Sequence, residues 1–556
     1  MTIRQFLMNC PTLGSSSSCA RRTAVCAPRA LACAFLAALC FCGTAGAASA
    51  LWEAGEGPWA TALNWKGEQL PVAGDDVTIN NGGTATLATE ARGIKRIGVG
   101  SGNTVNEKGA LVVTGGGALQ VEGAAFGGGR GTGALAVEKG GRVEVKGFFT
   151  LGSGQNFGGG TGSLKVSGEG SLLNAAHVVV GNRGNTGVIE IQGGKVAWGD
   201  AALGVSEHKT VSDGTGTARM NVTGGELRVS GQLILARSMR PPEGAGGAAV
   251  AEVTQTGGTV IVGEKLTGTR IPQALVLGAG NPYANESRGT AEATYKLFGG
   301  ELLVHGGILL GDFANHEKTF SGMNTLALGD ANGTGVLKQA RRGAGDIVVR
   351  NKKESGARLA GYGVVEFDGT LTNNGVITAD GFGKPERALD LSRFAKLQNT
   401  IDNGADEANG FYAVNRGRLV LPAATVLLGV AWLGESPSQG EALDLVNSVL
   451  VKVPGAGAGS VKCEILAPDR DELKAAGAGI VGAWRIEPAD GLKIASAALK
   501  FRYDVAGKVD EAALRVYQFA DGKLVDVTAG AADAASHTIS TRDVAALGTF
   551  VIKRAQ

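Results

Sequence analysis

The sequence predicts an all-β protein: a right-handed parallel β-helix built from glycine-rich repeats, followed by a C-terminal β-sandwich-like domain. Three observations carry that reading. Glycine supplies 91 of 556 residues, well above ordinary usage, while proline supplies 14 and no strict Gly-X-Y period appears, so collagen is excluded. Hydrophobic residues make up 44% and charged residues 19%, which excludes a disordered polyelectrolyte and leaves short apolar alternations broken by glycine, the mark of short strands and turns. Finally, one three-strand unit recurs through the middle of the chain.

Taken in order, residues 1–50 read as a secretory signal peptide. They hold Arg4, Arg21, Arg22 and Arg29, no acidic residue, an apolar run from Ala30 to Cys42, and the small residues Ala48-Ser49-Ala50. Cleavage after Ala50 is expected, and cleavage after Ala47 also fits the A-x-A pattern. The apolar run is too short for a bilayer span of ~20 residues, and no later segment does better, so no transmembrane segment is expected in the mature chain. Six of the seven cysteines lie in this leader, leaving Cys463 alone and no internal disulfide to rely on. Its four arginines leave too, turning a formal charge of +2 into −2. Such a near-neutral chain without a basic block is not a nucleic-acid binder.

Residues 51–108 read as an N-terminal cap and first coils, with Asp75-Asp76 suited to turn or cap duty. Residues 109–380 read as the repeats. The unit is clear at 133–152, 162–181, 187–204, 216–236 and 291–311, looser at 249–278, with a forerunner at 109–128. One copy alternates Leu164/Val166, Leu172 and Val178/Val180; another alternates Met220/Val222, Leu227/Val229 and Leu233/Leu235. Period two means strands. Strands so short bury no face alone, but stacking unit on unit at ~4.8 Å closes a continuous core. A calcium-binding nonapeptide roll is excluded, because Gly127-Gly128-Gly129-Arg130-Gly131 lacks the aspartate that G-G-x-G-x-D requires.

The pattern G-x-L-x-V-x-G-G-x-L-x-V-x-G-x-x-x-L-G resembles the repeat shared by type V secretion (autotransporter) passengers and PEP-CTERM-associated surface proteins, and it covers roughly residues 109–311. The segment Trp52, Trp59, Asn64-Trp65, Pro71 and Asp75 to Asn80 is similar to the opening that often precedes such repeats. The resemblance implies an exported bacterial β-helix. Neither a run of translocator-barrel strands nor a terminal Pro-Glu-Pro anchor accompanies it here.

Residues 381–556 read as a separate β-rich domain. Its expected strands are Leu419–Leu421, Leu445–Val453, Leu499–Tyr503, Leu514–Phe519 and Thr549–Ile552; Asp521-Gly522 is a two-residue hairpin signal, and 469–474 is the one plausible short helix.

Chemistry is sparse. Gly477-Ala-Gly479-Ile-Val-Gly482 matches G-x-G-x-x-G but follows a helix and precedes a strand, the reverse of a dinucleotide site. His316-Glu317 has no second histidine behind it, and the five histidines (177, 208, 305, 316, 537) lack metal-ligand spacing, so no metal or cofactor is expected. The insertions 153–161, 182–186, 205–215, 237–248 and 279–290 all fall between the third strand of one unit and the first of the next, which places them at one corner. The possible ligand contacts are Phe157 and Tyr283 in these loops, with Asp312, Phe313 and His316 beyond another coil; His305 completes a local His/Asp group with Asp312 and His316. The expected role is a non-catalytic structural or adhesive protein at the cell surface or in the matrix, with the periplasm also open, meeting surface or extracellular polysaccharide or other surface proteins. The alternative is a polysaccharide lyase or hydrolase on the same scaffold.

Overall fold

The computed structural model describes residues 48–555 except 103, 155–157, 207–213, 239–247, 267–272, 281–288, 312–319, 341–344, 351–354, 385, 399–410, 416–417, 421, 423–424, 427–429, 436–445, 453–459, 490–492 and 505–508. It is almost entirely strand, and the strands stack in parallel as three columns, the three sheets of a parallel β-helix.

The period-two alternation becomes three walls. In the first sheet Ala85, Leu111, Leu135, Leu164, Ile189, Met220, Val253, Tyr295, Leu326, Leu359, Ile377 and Tyr412 sit one above another in strict register, all buried. The second sheet repeats this with Leu119, Val143, Leu173, Val196, Leu227, Val260 and Leu302, and the third with Phe126, Leu151, Val180, Leu203, Leu235, Leu277 and Leu310. Each coil therefore buries its apolar face only because the next coil covers it.

The Gly-Gly pairs stand at the corner between the first and second strands. Gly194, Gly225, Gly258 and Gly300 have φ of +71°, +74°, +68° and +72°, and a Cβ on Gly225 would come within 2.7 Å of the Gly193 carbonyl carbon and the Gly194 carbonyl oxygen of the coil before it. Positive φ and close backbone approach coincide there, so the pair marks the repeat.

A buried polar pair interrupts the aliphatic wall of the first sheet. The Tyr295 hydroxyl donates to Gln255 Oε1 at 2.6 Å, and Gln255 Nε2 donates to the carbonyls of Gly258 and Glu301 at 3.2 and 3.0 Å. Burial pushes the Tyr295 phenol well above its ordinary pKa, so it stays a donor.

The N-terminal end is closed by tryptophans. Trp52 and Trp59 meet Trp65 edge to face at 4.9 and 4.8 Å, all three are buried, and Trp65 Nε1 donates to the Trp59 carbonyl at 2.8 Å. Asp75 has turn duty: its Oδ2 accepts the Val72 N–H at 2.9 Å.

Parallel stacking does not stop at residue 380. Phe411–Asn415 and Val430–Glu435 continue the first sheet, Ala388–Asp390 and Arg418–Val420 the second, and Lys396–Gln398 the third, so Leu419–Val420 belongs to the coils and not to the sandwich. These strands lack the Gly-Gly spacing because only a tight corner needs it; the ladder itself is a backbone property.

Val430–Glu435 then pairs antiparallel with Val446–Lys452, which pairs with Ala498–Arg502 and that with Thr538–Ser540, so the first sheet runs on into the terminal domain. A second antiparallel sheet has the order Ser460–Ile465, Ile480–Ala489, Gly548–Arg554, Leu514–Ala520, Lys523–Asp526. Phe501 joins the two layers, its ring 4.7 Å from Trp484 and 5.7 Å from Phe550. The C-terminal β-sandwich is thus built partly from the wall of the helix. Asp521 and Gly522 turn the hairpin with φ of +51° and +73°, the two positive values a type I′ turn requires. Asp471–Ala476 is a 3-10 helix followed by the strand Ile480–Ala489, so Gly477 and Gly479, with φ of +78° and +82°, form the turn between them and Gly482 lies in the strand.

Candidate functional site

The corner between the third strand of one coil and the first of the next is where the insertions sit. Ser153, Asn182, Val205, Arg237 and Ala279 are stacked in register where the chain leaves, and Thr132, Thr161, Thr186 and Thr217 are stacked where it returns. The insertions therefore share one edge. The shortest is described throughout. Asn185 is buried there; its Oδ1 accepts the Gly160 N–H at 2.8 Å, and its Nδ2 donates to the Asn182 and Arg183 carbonyls at 2.7 and 3.2 Å. Backbone bonds from Gly159 N–H to the Gly184 carbonyl and from Thr186 N–H to the Gly160 carbonyl, at 2.8 and 2.9 Å, tie this corner to the one before it. In the sequence Asn-Arg-Gly-Asn reads only as a turn; nothing local signals that Asn185 bridges two coils.

Phe157, Tyr283, Asp312, Phe313 and His316 all lie outside the described residues. Of the His/Asp group only His305 is described, and its neighbours are on other coils. Its Nε2 lies 4.0 Å from Glu264 Oε1; Glu264 also grips Arg228 Nη1, while Arg228 Nη2 lies 3.2 Å from Glu226 Oε1. The bond to Glu264, reinforced by Glu226, raises the Arg228 pKa above its ordinary value. Two outward carboxylates thus flank an arginine, and both are spent on it. Further along the flank, Lys338 lies between Glu301 and Glu366, at 4.0 and 3.9 Å.

A different surface forms on three successive coils. Arg142, Leu172 and Lys195 are in register on the outside of the second sheet, beside a shallow groove of about 380 Å³ that also touches Glu169 and Ser171. The same three strands carry Phe148, His177 and Asp200 in register at the start of the third sheet. Phe148 is 57% exposed, its ring centroid 5.3 Å from that of His177, and Asp200 Oδ1 accepts the Gln232 N–H at 3.0 Å. An open aromatic face with a carboxylate on the same ladder suits a polar, ring-shaped ligand, while Arg142 and Lys195 stand apart at the start of the second sheet. Sequence reasoning missed this strip, since its members lie some two dozen residues apart; the signal was Phe148 itself, an aromatic at a position where other repeats carry small or polar residues.

In the terminal domain Glu511 Oε2 accepts from the Tyr503 hydroxyl at 2.6 Å and meets His537 Nδ1 at 3.1 Å. The bond from Tyr503, then that from His537, lowers the Glu511 pKa. Among the described residues no three His, Cys, Asp or Glu side chains gather as metal ligands, and no helix is long and apolar enough to cross a membrane. No protein-family model, curated protein or solved structure matches the chain.

Proposed function

We propose that this chain is an exported, non-catalytic β-helix scaffold of the autotransporter-like kind, which presents loops from one corner at the cell surface or in the matrix. The observation that supports the reading most is the common edge of the insertions: residues 153, 182, 205, 237 and 279 stack, so loops of different length leave one rigid wall at a regular rise. Regular spacing on a stiff support suits repetitive ligands, and polysaccharide is the one that the exposed Phe148 ring on the third sheet best complements. A polysaccharide-processing enzyme is the second reading, favoured by Glu226 and Glu264 on successive coils about Arg228; against it, Arg228 occupies both carboxylates that would act as acid and base. A polysaccharide array scored for both retention and shortening of the glycan decides between them. Retention without cleavage, weakened by Phe148→Ala, is expected; cleavage abolished by Glu264→Gln would establish the enzyme.

A further inference from the structure

We infer that the leader is cut between Ala47 and Ala48, and that the α-ammonium this creates is held by the Asp75 carboxylate at the first rung of the coil stack. The inference rests on the exported reading above. Two A-x-A sites are available, Ala45-Gly46-Ala47 and Ala48-Ser49-Ala50, and the sequence reading favours the second.

The fold separates them. Ser49–Leu51 is the first strand of the third sheet, paired in parallel register with 76–78. Ala48 is fixed at both of its backbone groups: its N–H donates to Asp75 Oδ1 at 3.3 Å, and its carbonyl accepts the Asp76 N–H at 3.0 Å. Directly behind the strand, the Trp52 N–H donates to the Thr78 carbonyl at 2.9 Å and the Trp52 ring lies fully buried against Trp65. A cut after Ala50 would remove two of the three residues of this strand, strip the Asp76 N–H of its acceptor, and set a charged ammonium one residue from the buried indole. A cut after Ala47 leaves Ser49–Leu51 and the Ala48 carbonyl in place.

Hydrolysis of the Ala47–Ala48 bond by an A-x-A-directed leader peptidase consumes one water. The C–N bond breaks, hydroxyl goes to the Ala47 carbonyl carbon, and the Ala48 nitrogen gains that water's remaining proton and one from solvent to become an ammonium. One amide donor thereby becomes three. An acceptor for them is in place: Asp75 is 6% exposed and its Oδ1 already accepts from the Ala48 nitrogen. Lys95 and Arg96 meet Asp75 through their backbone N–H groups, which donate to its carbonyl at 3.0 and 3.4 Å. Against the Asp75 carboxylate a neutral amide makes an ordinary hydrogen bond, whereas an ammonium makes a charge-assisted one of about twice the strength. Maturation itself then fastens the end of the stack.

The test has two arms. Intact mass and N-terminal sequencing of the exported protein should give Ala48. In parallel, leaderless protein is prepared with a free Ala48 amine, with that amine acetylated, and beginning at Leu51. The free-amine form should melt highest, the acetylated form lower, the Leu51 form lowest, and Asp75→Asn should erase the gap between the first two. An exported chain beginning at Leu51 would overturn the cleavage position, and equal melting of the free and acetylated forms would overturn the ammonium lock without any variant needing to fold. A chain that stays inside the cell with its leader intact would refute the exported reading and the cleavage with it, while the leaderless pair still judges the lock.

Discussion

Gly225→Ala and Gly140→Ala make a matched pair that isolates what the Gly-Gly corner demands. Both glycines sit between a first and a second strand, with φ of +74° and +81°, so each alanine meets the same left-handed backbone. That costs about 1–2 kcal/mol, offset by roughly 0.4–1 kcal/mol from a stiffer unfolded chain. The surroundings differ. A Cβ at Gly140 has no heavy atom within 4 Å, whereas at Gly225 it would stand 2.7 Å from the Gly193 carbonyl carbon, 2.7 Å from the Gly194 carbonyl oxygen and 2.9 Å from the Gly193 Cα. All three are backbone, so the preceding coil must move by several tenths of an ångström and loosen its ladder, adding about 1–3 kcal/mol in the manner of an overpacked core. Gly140→Ala should therefore lose no more than about 1.6 kcal/mol and Gly225→Ala roughly 1–4.6 kcal/mol, about 1–3 kcal/mol more than its partner. Urea unfolding of the leaderless protein, followed by far-UV circular dichroism and by amide exchange at 193–196, measures both the global and the local loss. Equal shifts for the two variants would show that backbone angle alone, not coil-to-coil contact, selects the glycine, and the account of the repeat given above would be wrong.

Val222 is fully buried and Lys165 is exposed, so Val222→Asp should cost several kcal/mol in thermal unfolding and Lys165→Ala no more than about 0.5 kcal/mol; similar losses would mean the alternation is misassigned. Tyr295→Phe removes the donor to Gln255 Oε1 inside the core and should cost about 1–3 kcal/mol, with Gln255→Leu in the same background recovering part of it, measured as a double-mutant cycle. Because the Glu511 pKa is lowered in the folded protein, its contribution to stability is present above the unfolded carboxylate range and is lost as pH falls through the folded value; Glu511→Gln should flatten the acid limb of a melting-temperature profile below about pH 4.5, and an unchanged limb would remove Glu511 from the account.

The features legible in the sequence are those decided within one coil. Inward residues at Leu164/Val166 and Met220/Val222 follow from strand period alone, the Gly-Gly corner from a local φ, and the Asp521-Gly522 hairpin from two adjacent residues that tolerate left-handed backbone. Register between coils is a different matter, because the insertions that separate equivalent residues vary in length and carry no period. Only the folded stack brings Phe148 to His177 and Asp200, or Arg228 to Glu264, and only it carries the parallel ladder past residue 380 into a sandwich that shares its wall. The same holds at the start of the chain, where a run of small residues offers two cleavage sites and the sequence reading favours the one after Ala50. The pairing of 49–51 with 76–78 distinguishes them, since a peptide bond whose neighbours complete a sheet has a different consequence when cut from one that lies outside it.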